Sequence, residues 1–331
     1  MKIFPDCRRG AALFVCGVAW AWCAAFAPSC YAQDYPNKPI RVVIAGGAGS
    51  SPDIVARLLG NKILAALGKP FVMDLRPGAS GGIGAETAAK AAPDGYTLFM
   101  LTSQLSSAAA MYTKLRYNLV EDFAPISLVG TTPSLLVVNP SLPVGKLADL
   151  IALVKPRPGV LRYGSAGVGS SSHLPAVLFA AMAKVDMLHV PYKDSPGALL
   201  GTMTGEVGLS FQPLTASLPS VRSGKLKALG VTGAPRSALA PDLPTIAETI
   251  PGYEYMLWQG IVAPAKTPPA IIAKLNAEVV KALNAPDVRE QRAAIGNEPL
   301  PSTPEAYAKH IAEQVEKMKE IVRLGGIKPQ D

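Results

Sequence analysis

Cysteine is missing from almost the whole chain. The sequence contains only four cysteines, and all four lie within its first 30 residues. Beyond that point there is no thiol, which excludes disulfide bonds, cysteine nucleophiles and cysteine-ligated metals from the rest of the protein. A chain that carries no thiol also suits an oxidising compartment.

The sequence also has few histidines and no dense run of basic residues. The chain has three histidines, His173, His189 and His310, and no His, Asp and Glu residues cluster at the spacing of metal ligands. Aromatic residues make up only 6% of the sequence, and no basic run is interleaved with them. The sequence therefore predicts no metal, no cofactor and no nucleic-acid partner.

The first 32 residues have the three parts of a secretory signal peptide. Residues 2–9 carry three basic side chains, residues 11–27 are apolar, and residues 30–32 end in a small-x-small cleavage pattern. The apolar run is short for a membrane span. We expect export to the periplasm and cleavage before Gln33; lipid attachment at Cys30 is the second alternative. The exported chain keeps a net charge of +6, which weakly favours anionic ligands.

A glycine-rich turn joins the first predicted strand to the first predicted helix. Residues 40–44 form a β-branched run that is typical of a buried strand, and the glycines of 46–49 permit a tight turn. Ser50 or Ser51 is a suitable helix cap, with Pro52 in the first turn. Free N–H groups at such a helix start suit a carboxylate or phosphate, although a turn without a ligand has the same pattern.

The chain repeats this arrangement. Residues 70–92 and 163–174 again place a small-residue turn between a strand and a helix, and the predicted strand 96–101 ends at the polar residues 102–104. Strands that alternate with helices predict a mostly parallel sheet with helices on its faces, and ligands of such sheets bind at the carboxyl ends of the strands. Two extended apolar stretches, 133–143 and 255–264, indicate that the chain leaves one lobe, builds a second and returns.

Several motifs, in this order, closely resemble the Bug family, the extracytoplasmic solute receptors of tripartite tricarboxylate transporters. The matching segments are YPNKPIRVVI (35–44), RPGASGGIGAE (76–86), YGSAGVGSSSHL (163–174), HVPYK (189–193), GKLKALGV (224–231) and LPTIAE (243–248). The resemblance implies a two-lobed α/β fold of the periplasmic-binding-protein type II class, joined by two extended crossing strands. It also implies a small carboxylate ligand, aliphatic or aromatic, and membrane transporter subunits as partners.

The resemblance also gives domain limits and a candidate site. We expect a signal peptide at 1–32, a first lobe at 33–134 and 258–331, and a second lobe at 135–257, in a protein that is monomeric. The motif-matched binding residues are Gly46, Gly47, Ala48, Gly49, Ser50, Ser51, Ala79, Ser80, Gly81, Ser165, Ala166, Gly167, Gly169 and Ser170. Thr102, Ser103 and Gln104 are added from their strand-end position, and His173 and Gln212 complete the set. His173 either donates to the ligand or bonds to its own loop.

Three positions depart from the family pattern. Ala45-Gly46 stands where a proline and an aromatic residue are common, Gly49-Ser50 where paired glycines are common, and Gln212 where an acid is common. Loss of the aromatic side chain reshapes the pocket wall, and an amide in place of an acid supplies an NH₂ donor. Our hypothesis is that these changes suit a bulkier or more anionic ligand, such as an aromatic carboxylate.

Two alternatives to a transport receptor stay open. One is a receptor that senses its ligand for a signalling system. The other is an exported serine hydrolase, because Gly78–Gly82 fits G-x-S-x-G between a strand and a helix, with Ser80 as the nucleophile. The histidines are poorly placed for that chemistry, and we expect His310 on the solvated side of its helix. The sequence therefore favours a binding protein and not an enzyme.

Charged residues beside the loops are interpreted as scaffold. Asp53 lies in the first turn of the predicted helix and is expected to interact with the helix dipole rather than with the ligand, because a carboxylate there repels an anionic ligand. Arg57 and Arg76 are expected to pair with acids, and Tyr192 and Trp258 to pack within the lobes.

Overall fold

The computed structural model describes residues 35–294 and 296–329. The predicted signal peptide lies outside these residues. Residues from Lys38 onward form one compact unit, separate from those up to Asn37, and all elements below belong to it.

The described ranges contain ten helices and ten strands, which mostly alternate along the chain. The strands are β1 Ile40–Ile44, β2 Phe71–Leu75, β3 Thr97–Thr102, β4 Phe123–Val138, β5 Arg162–Ser165, β6 Leu188–Pro191, β7 Leu209–Pro213, β8 Lys227–Val231, β9 Met256–Pro264 and β10 Glu298–Pro299. The helices are α1 Ser51–Leu67, α2 Gly82–Ala89, α3 Ser103–Met111, α4 Leu147–Val154, α5 Leu174–Ala183, α6 Ser195–Thr204, α7 Leu214–Arg222, α8 Pro269–Asn284, α9 Pro286–Ala294 and α10 Pro304–Leu324. Two short 3₁₀ helices lie at Ala79–Gly81 and Ile246–Glu248.

The strands form a mixed sheet in the order β2-β1-β3-β9-β4-β7-β5-β6, with β8 and β10 also paired to β4. Strand β1 is parallel to β2 and β3, and β5 is parallel to β6 and β7. Val42, Val43 and Ile44 are fully buried, which explains the unbroken apolar composition of β1. The predicted alternation of strands and helices is present in both halves of the sheet.

Strand β4 connects the two halves. Its residues up to Pro133 pair with β9, and from Ser134 onward they pair with β7 and β8. The extended crossing therefore begins earlier than the predicted stretch 133–143, because β9 supplies an antiparallel partner from a distant part of the sequence. The returning strand β9 matches the predicted stretch 255–264 closely.

Helix α10 packs against the hydrophobic cores of both halves. Its N-terminal residues Tyr307, Ile311 and Val315 belong to the cluster around Phe99, which we call the first core. Its C-terminal residues Met318, Ile321 and Val322 belong to the cluster around Phe179 and Phe211, which we call the second core. The apolar stripe of this helix is thus core packing, as its helical spacing indicates.

In the part of the chain that the structure describes, no helix combines the length and apolar character needed to span a bilayer.

Candidate functional site

A cavity of about 590 Å³ opens at the carboxyl ends of the parallel strands. Most of its wall consists of small or hydroxyl-bearing residues from loops that follow strands. The lining residues are Ala45, Gly46, Ser50, Ser51, Pro52, Thr102, Ser103, Gln104, Thr132, Ala166, Ser170, Ser171, Lys193, Asp194, Ser195, Pro213, Thr215, Leu257, Trp258, Gln259 and Asn297.

Four helices begin at this cavity. Ser51 of α1, Ser103 of α3, Ser195 of α6 and Thr215 of α7 all line it and stand first or second in their helices. The N–H groups of a first helical turn have no partner within the helix, and the helix dipole makes that end positive. The cavity wall therefore favours a negatively charged group without a dense cluster of cations.

The first loop is held by an acid that faces away from the ligand space. The Gly49 N–H donates to Asp53 Oδ2 at 2.9 Å, and Arg57 Nε donates to Asp53 Oδ1 at 2.9 Å. Asp53 is 3% exposed, so this pairing fixes the turn from beneath. The structure agrees with the interpretation of Asp53 and Arg57 as scaffold, and Arg76 likewise pairs with an acid, Asp74.

Ser50 is the residue of this loop best placed to donate to a ligand. Its side-chain oxygen is buried, lines the cavity and has no hydrogen-bond partner among the described residues. A Cβ added to Gly46 would lie 2.7 Å from Ser50 Oγ, so glycine at that position leaves room for the hydroxyl. The departure from the family pattern at Ala45-Gly46 therefore lies directly on the cavity wall.

The second loop, residues 165–173, lines the cavity with Ala166, Ser170 and Ser171 and is held by hydrogen bonds to its own side chains. The Ala166 N–H donates to Ser172 Oγ at 2.9 Å, and the Gly169 N–H donates to His173 Nδ1 at 3.2 Å. Ser165 Oγ lies 2.6 Å from His189 Nε2. Ser165 is fully buried and accepts the Gly167 N–H, so this serine–histidine contact supports the loop and offers no exposed nucleophile.

The predicted binding residues fall into two groups in this structure. Those that line the cavity are Gly46, Ser50, Ser51, Thr102, Ser103, Gln104, Ala166 and Ser170. Those that lie outside its lining are Gly47, Ala48, Gly49, Ala79, Ser80, Gly81, Ser165, Gly167, Gly169, His173 and Gln212. Several of the second group shape the loops: Gly49, Gly167 and Gly169 have positive φ, which glycine adopts without strain.

Gln212 lies behind the cavity wall. It is 1% exposed, its Nε2 has no partner among the described residues, and its neighbour Pro213 lines the cavity. Ser80 has a φ of 52° and is half-buried, but none of the hydrogen bonds found for the three histidines reaches it.

The expectation that His310 faces solvent is wrong. Its ring packs edge-on against Trp258 with the centroids 5.0 Å apart, and burial lowers the pKa of the imidazole. Tyr307, on the same helix, also contacts Trp258, and both residues belong to the first core.

Several residues that line the cavity were not predicted from the sequence. Lys193 and Asp194 line the cavity at its exposed side, and Gln259 donates to Ser51 Oγ at 3.3 Å. Asn297 Nδ2 donates to Thr132 Oγ1 at 3.2 Å. Lys193 belongs to the HVPYK motif, so a signal was present there, whereas no local pattern marks Asn297 or Thr132.

Arg292 stands directly behind Asn297. It is fully buried, Nη2 donates to Asn297 Oδ1, and its Nε and Nη1 atoms have no partner in the described chain. Burial lowers the pKa of this guanidinium to about 10, so it is still protonated at neutral pH. No group of three or more His, Cys, Asp or Glu side chains in residues 35–294 and 296–329 is arranged to hold a metal ion.

Comparison with known proteins shows which family has this architecture. Residues 55–327 match the model of the tripartite tricarboxylate transporter family receptor. The chain is 35% identical to protein BugT of Bordetella pertussis, with 90% of this chain and 92% of that protein covered.

Two solved structures of Rhodopseudomonas palustris proteins share the fold along almost their whole length. Rpa4515 with adipate is 34% identical, with a TM-score of 0.77, 89% of this chain and 100% of that chain covered. MatC with bound malate is 31% identical, with a TM-score of 0.72, 87% of this chain and 100% of that chain covered. The predicted two-lobed fold and family resemblance are thereby confirmed. The chain belongs to the Bug family, the periplasmic solute-binding receptors of tripartite tricarboxylate transporters.

Proposed function

We propose that this receptor captures a small carboxylate in the cavity between its lobes and delivers it to a tripartite tricarboxylate-type membrane transporter. The observation that carries the proposal is the meeting of four helix N-termini, α1, α3, α6 and α7, on one cavity wall. Backbone N–H groups and hydroxyls bind an anion there without a formal positive charge. The adipate and malate bound by the two R. palustris relatives support the same ligand class.

The charges of the lining favour recognition by oriented dipoles. Lys193 and Asp194 are the charged side chains of the wall, and their formal charges cancel. Ser50 Oγ supplies a buried hydroxyl that is not hydrogen-bonded to any residue of 35–294 or 296–329. A carboxylate that accepts several such hydrogen bonds is held more strongly than a neutral ligand of the same shape, because hydrogen bonds to a charged acceptor are about twice as strong.

A thermal-shift screen of residues 33–331 tests the proposal. The panel contains mono-, di- and tricarboxylates and aromatic acids, with a matched set of sugars and amides. A ligand that binds only the folded state at a hundred times its Kd stabilises the protein by about 2.7 kcal/mol. We expect shifts confined to acids; shifts confined to neutral compounds would contradict the proposal.

The pocket wall suggests a test of ligand size. Gly46 lines the cavity where relatives commonly carry an aromatic side chain, and Gln212 stands just behind Pro213. We propose that this wall accepts a bulkier acid, such as an aromatic carboxylate. Competition calorimetry between aliphatic and aromatic acids decides the point, and a clear preference for the aliphatic acids would refute it.

Export, oligomeric state and lobe closure belong to the proposed role as well. We propose that residues 1–32 direct export and are removed, that the mature chain is a monomer, and that β4 and β9 act as hinges for closure. Mass spectrometry of the periplasmic fraction gives the mature N-terminus and reveals any lipid on Cys30. Sedimentation of the purified chain gives its oligomeric state.

We propose a binding role without hydrolysis. Ser80 has the positive φ of a nucleophile elbow, but the histidines of the described chain are engaged elsewhere, His173 with Gly169 and His189 with Ser165. A fluorophosphonate probe tests this directly, since covalent labelling of Ser80 would support a hydrolase.

A further inference from the structure

Loop 165–173 depends on a buried histidine rather than on the ligand for its shape. His173 is 4% exposed at the start of α5, outside the lining of the cavity, while Ala166, Ser170 and Ser171 line it. The turn contains two positive-φ glycines, Gly167 and Gly169, and the Gly167 carbonyl accepts the Ser170 N–H at 3.2 Å within the turn. Hydrogen bonds to the side chains of Ser165, Ser172 and His173 also help to hold the turn in this shape.

One of those hydrogen bonds requires a particular protonation state. The Gly169 N–H donates to His173 Nδ1 at 3.2 Å. Nδ1 can accept only when it carries no proton, so His173 is neutral with its proton on Nε2. The His173 N–H in turn donates to Ser170 Oγ at 3.2 Å, which couples the ring and the lining serine within one turn.

The surroundings of His173 keep it neutral. The ring centroid of His189 on β6 lies 4.2 Å away, and Tyr163 on β5 stacks against both imidazoles. Burial, followed by the neighbouring His189, lowers the pKa of His173 to about 4, and burial also lowers the pKa of His189. Burial raises the pKa of Tyr163 to about 12, so it stays uncharged, and no ion pair from a carboxylate reaches either imidazole within the described chain.

We propose that His173 is a positioning residue of the binding loop: its unprotonated Nδ1 holds Gly169, so that protonation of His173 releases loop 165–173 and weakens ligand binding in acid. The inference rests on the proposed carboxylate function only in its last step. The arrangement of the loop itself is a property of the ligand-free chain.

The protonation step has a direct structural consequence. Protonated Nδ1 becomes a donor that faces the donor N–H of Gly169, and its positive charge stands beside His189 in a buried site. The loop must then move for the ring to reach water. Ser170 and Ala166 move with it, because Ser172, which holds the Ala166 N–H, is adjacent in sequence to His173.

Three variants separate positioning from simple packing. His173→Asn keeps an acceptor near the Nδ1 position and cannot titrate, whereas His173→Phe keeps a flat ring and removes the acceptor. His310→Phe is the matched control, since His310 is half-buried and packs against Trp258 in the first core. Amide hydrogen exchange of residues 166–171, corrected for the intrinsic pH dependence of exchange, is measured without ligand at pH 7 and pH 4.

We expect wild type to exchange this segment at least tenfold faster at pH 4 than at pH 7. His173→Phe is expected to be fast at both pH values, His173→Asn slow at both, and His310→Phe like wild type. Equal protection in His173→Phe and wild type at pH 7 would overturn the inference, as would a pH response in His173→Asn as large as in wild type.

Calorimetry with adipate as the probe connects the loop to binding. His173→Asn serves as the reference for protonation of adipate itself, so an affinity that falls at least threefold more in wild type than in this variant supports the inference. An equal fall in both would overturn its binding step. If adipate binds neither protein at pH 7, that result counts against the proposed function for this acid, while the exchange experiment still decides the role of His173.

Discussion

The Ser50 hydroxyl is placed to bind a ligand but lowers the stability of the ligand-free protein. A buried hydroxyl without a partner destabilises a fold by roughly 1–3 kcal/mol, yet Ser50 Oγ on the cavity wall has no hydrogen-bond partner in the part of the chain that the structure describes. Gly46 leaves the space that this hydroxyl occupies. The pair is most simply explained if the hydroxyl donates to a bound carboxylate.

Ser50→Ala should therefore weaken binding without weakening the fold. We expect the affinity for the most tightly bound acid of the screen to fall about tenfold or more, because a hydrogen bond to a charged group contributes about 1.5–3 kcal/mol. The free energy of unfolding should stay the same or rise. Calorimetry and urea unfolding measure the two effects, with the exposed Ser223→Ala as the control. Unchanged affinity would remove Ser50 from the site.

Arg292 is a buried charged side chain, and two of its nitrogen atoms have no hydrogen-bond partner in the described chain. We expect Arg292→Met to leave the urea midpoint unchanged or to raise it, because the wild-type charge is buried without a carboxylate partner in the described chain. Arg289→Met on the exposed side of the same helix is the control and should have little effect. A loss of more than about 2 kcal/mol in Arg292→Met would show that the guanidinium stabilises the fold.

At the scale of elements, helix α10 links the two cores. Its first half packs in the first core and its second half in the second core. Strand β4 also belongs to both halves, since it pairs first with β9 and then with β7 and β8, so the proposed closure of the lobes must be accommodated around elements that both halves share.

Truncation of the second half of α10 should cost core stability. Ile321→Ala removes a side chain that is 1% exposed, and we expect a loss of about 2–5 kcal/mol in the free energy of unfolding. Leu324→Ala, at a side chain that is 42% exposed, should lose less than about 1 kcal/mol. Equal effects of the two substitutions would contradict the packing of this end of the helix.

Elements with a local signal could be predicted from the sequence, and those defined by distant partners could not. The β-branched run of β1 and the Gly-Ser-Ser-Pro start of α1 indicate their structures directly. The loop motifs indicate five of the residues that line the cavity, and the strand-end position of residues 102–104 indicates three more. Strand β4 begins ten residues before the predicted crossing because its first half needs β9 as a partner. Thr132, Thr215 and Asn297 reach the cavity only through tertiary packing, and His310 is buried by Trp258, which no spacing within α10 reveals.

At the scale of the whole molecule, stability should depend on pH through His173, which is buried, and through His189 and His310, which are half-buried. Burial lowers the pKa of His173, His189 and His310 below that of an exposed imidazole, so the unfolded chain binds more protons than the folded one in mild acid. The stability from neutral imidazoles is therefore complete above pH 6.5 and is lost as the pH falls through the folded pKa, about 4 for His173.

Urea unfolding between pH 7 and pH 4 measures this dependence. We expect the free energy of unfolding to fall across that range in wild type, and to fall less in His173→Asn, which cannot take up the proton. A stability that does not change between pH 7 and pH 4.5 would contradict the neutral, buried state of these side chains.

We expect the helix N-termini in this cavity to recognise the negative charge of a small acid. Calorimetric titration of residues 33–331, refolded from denaturant to remove any ligand carried from the host, tests it with acids and their amides of equal length. With adipate and its diamide as the pair, we predict one-site binding of the acid and at least a tenfold weaker interaction with the diamide. Equal affinity for the two compounds, or binding of the diamide alone, would contradict the account.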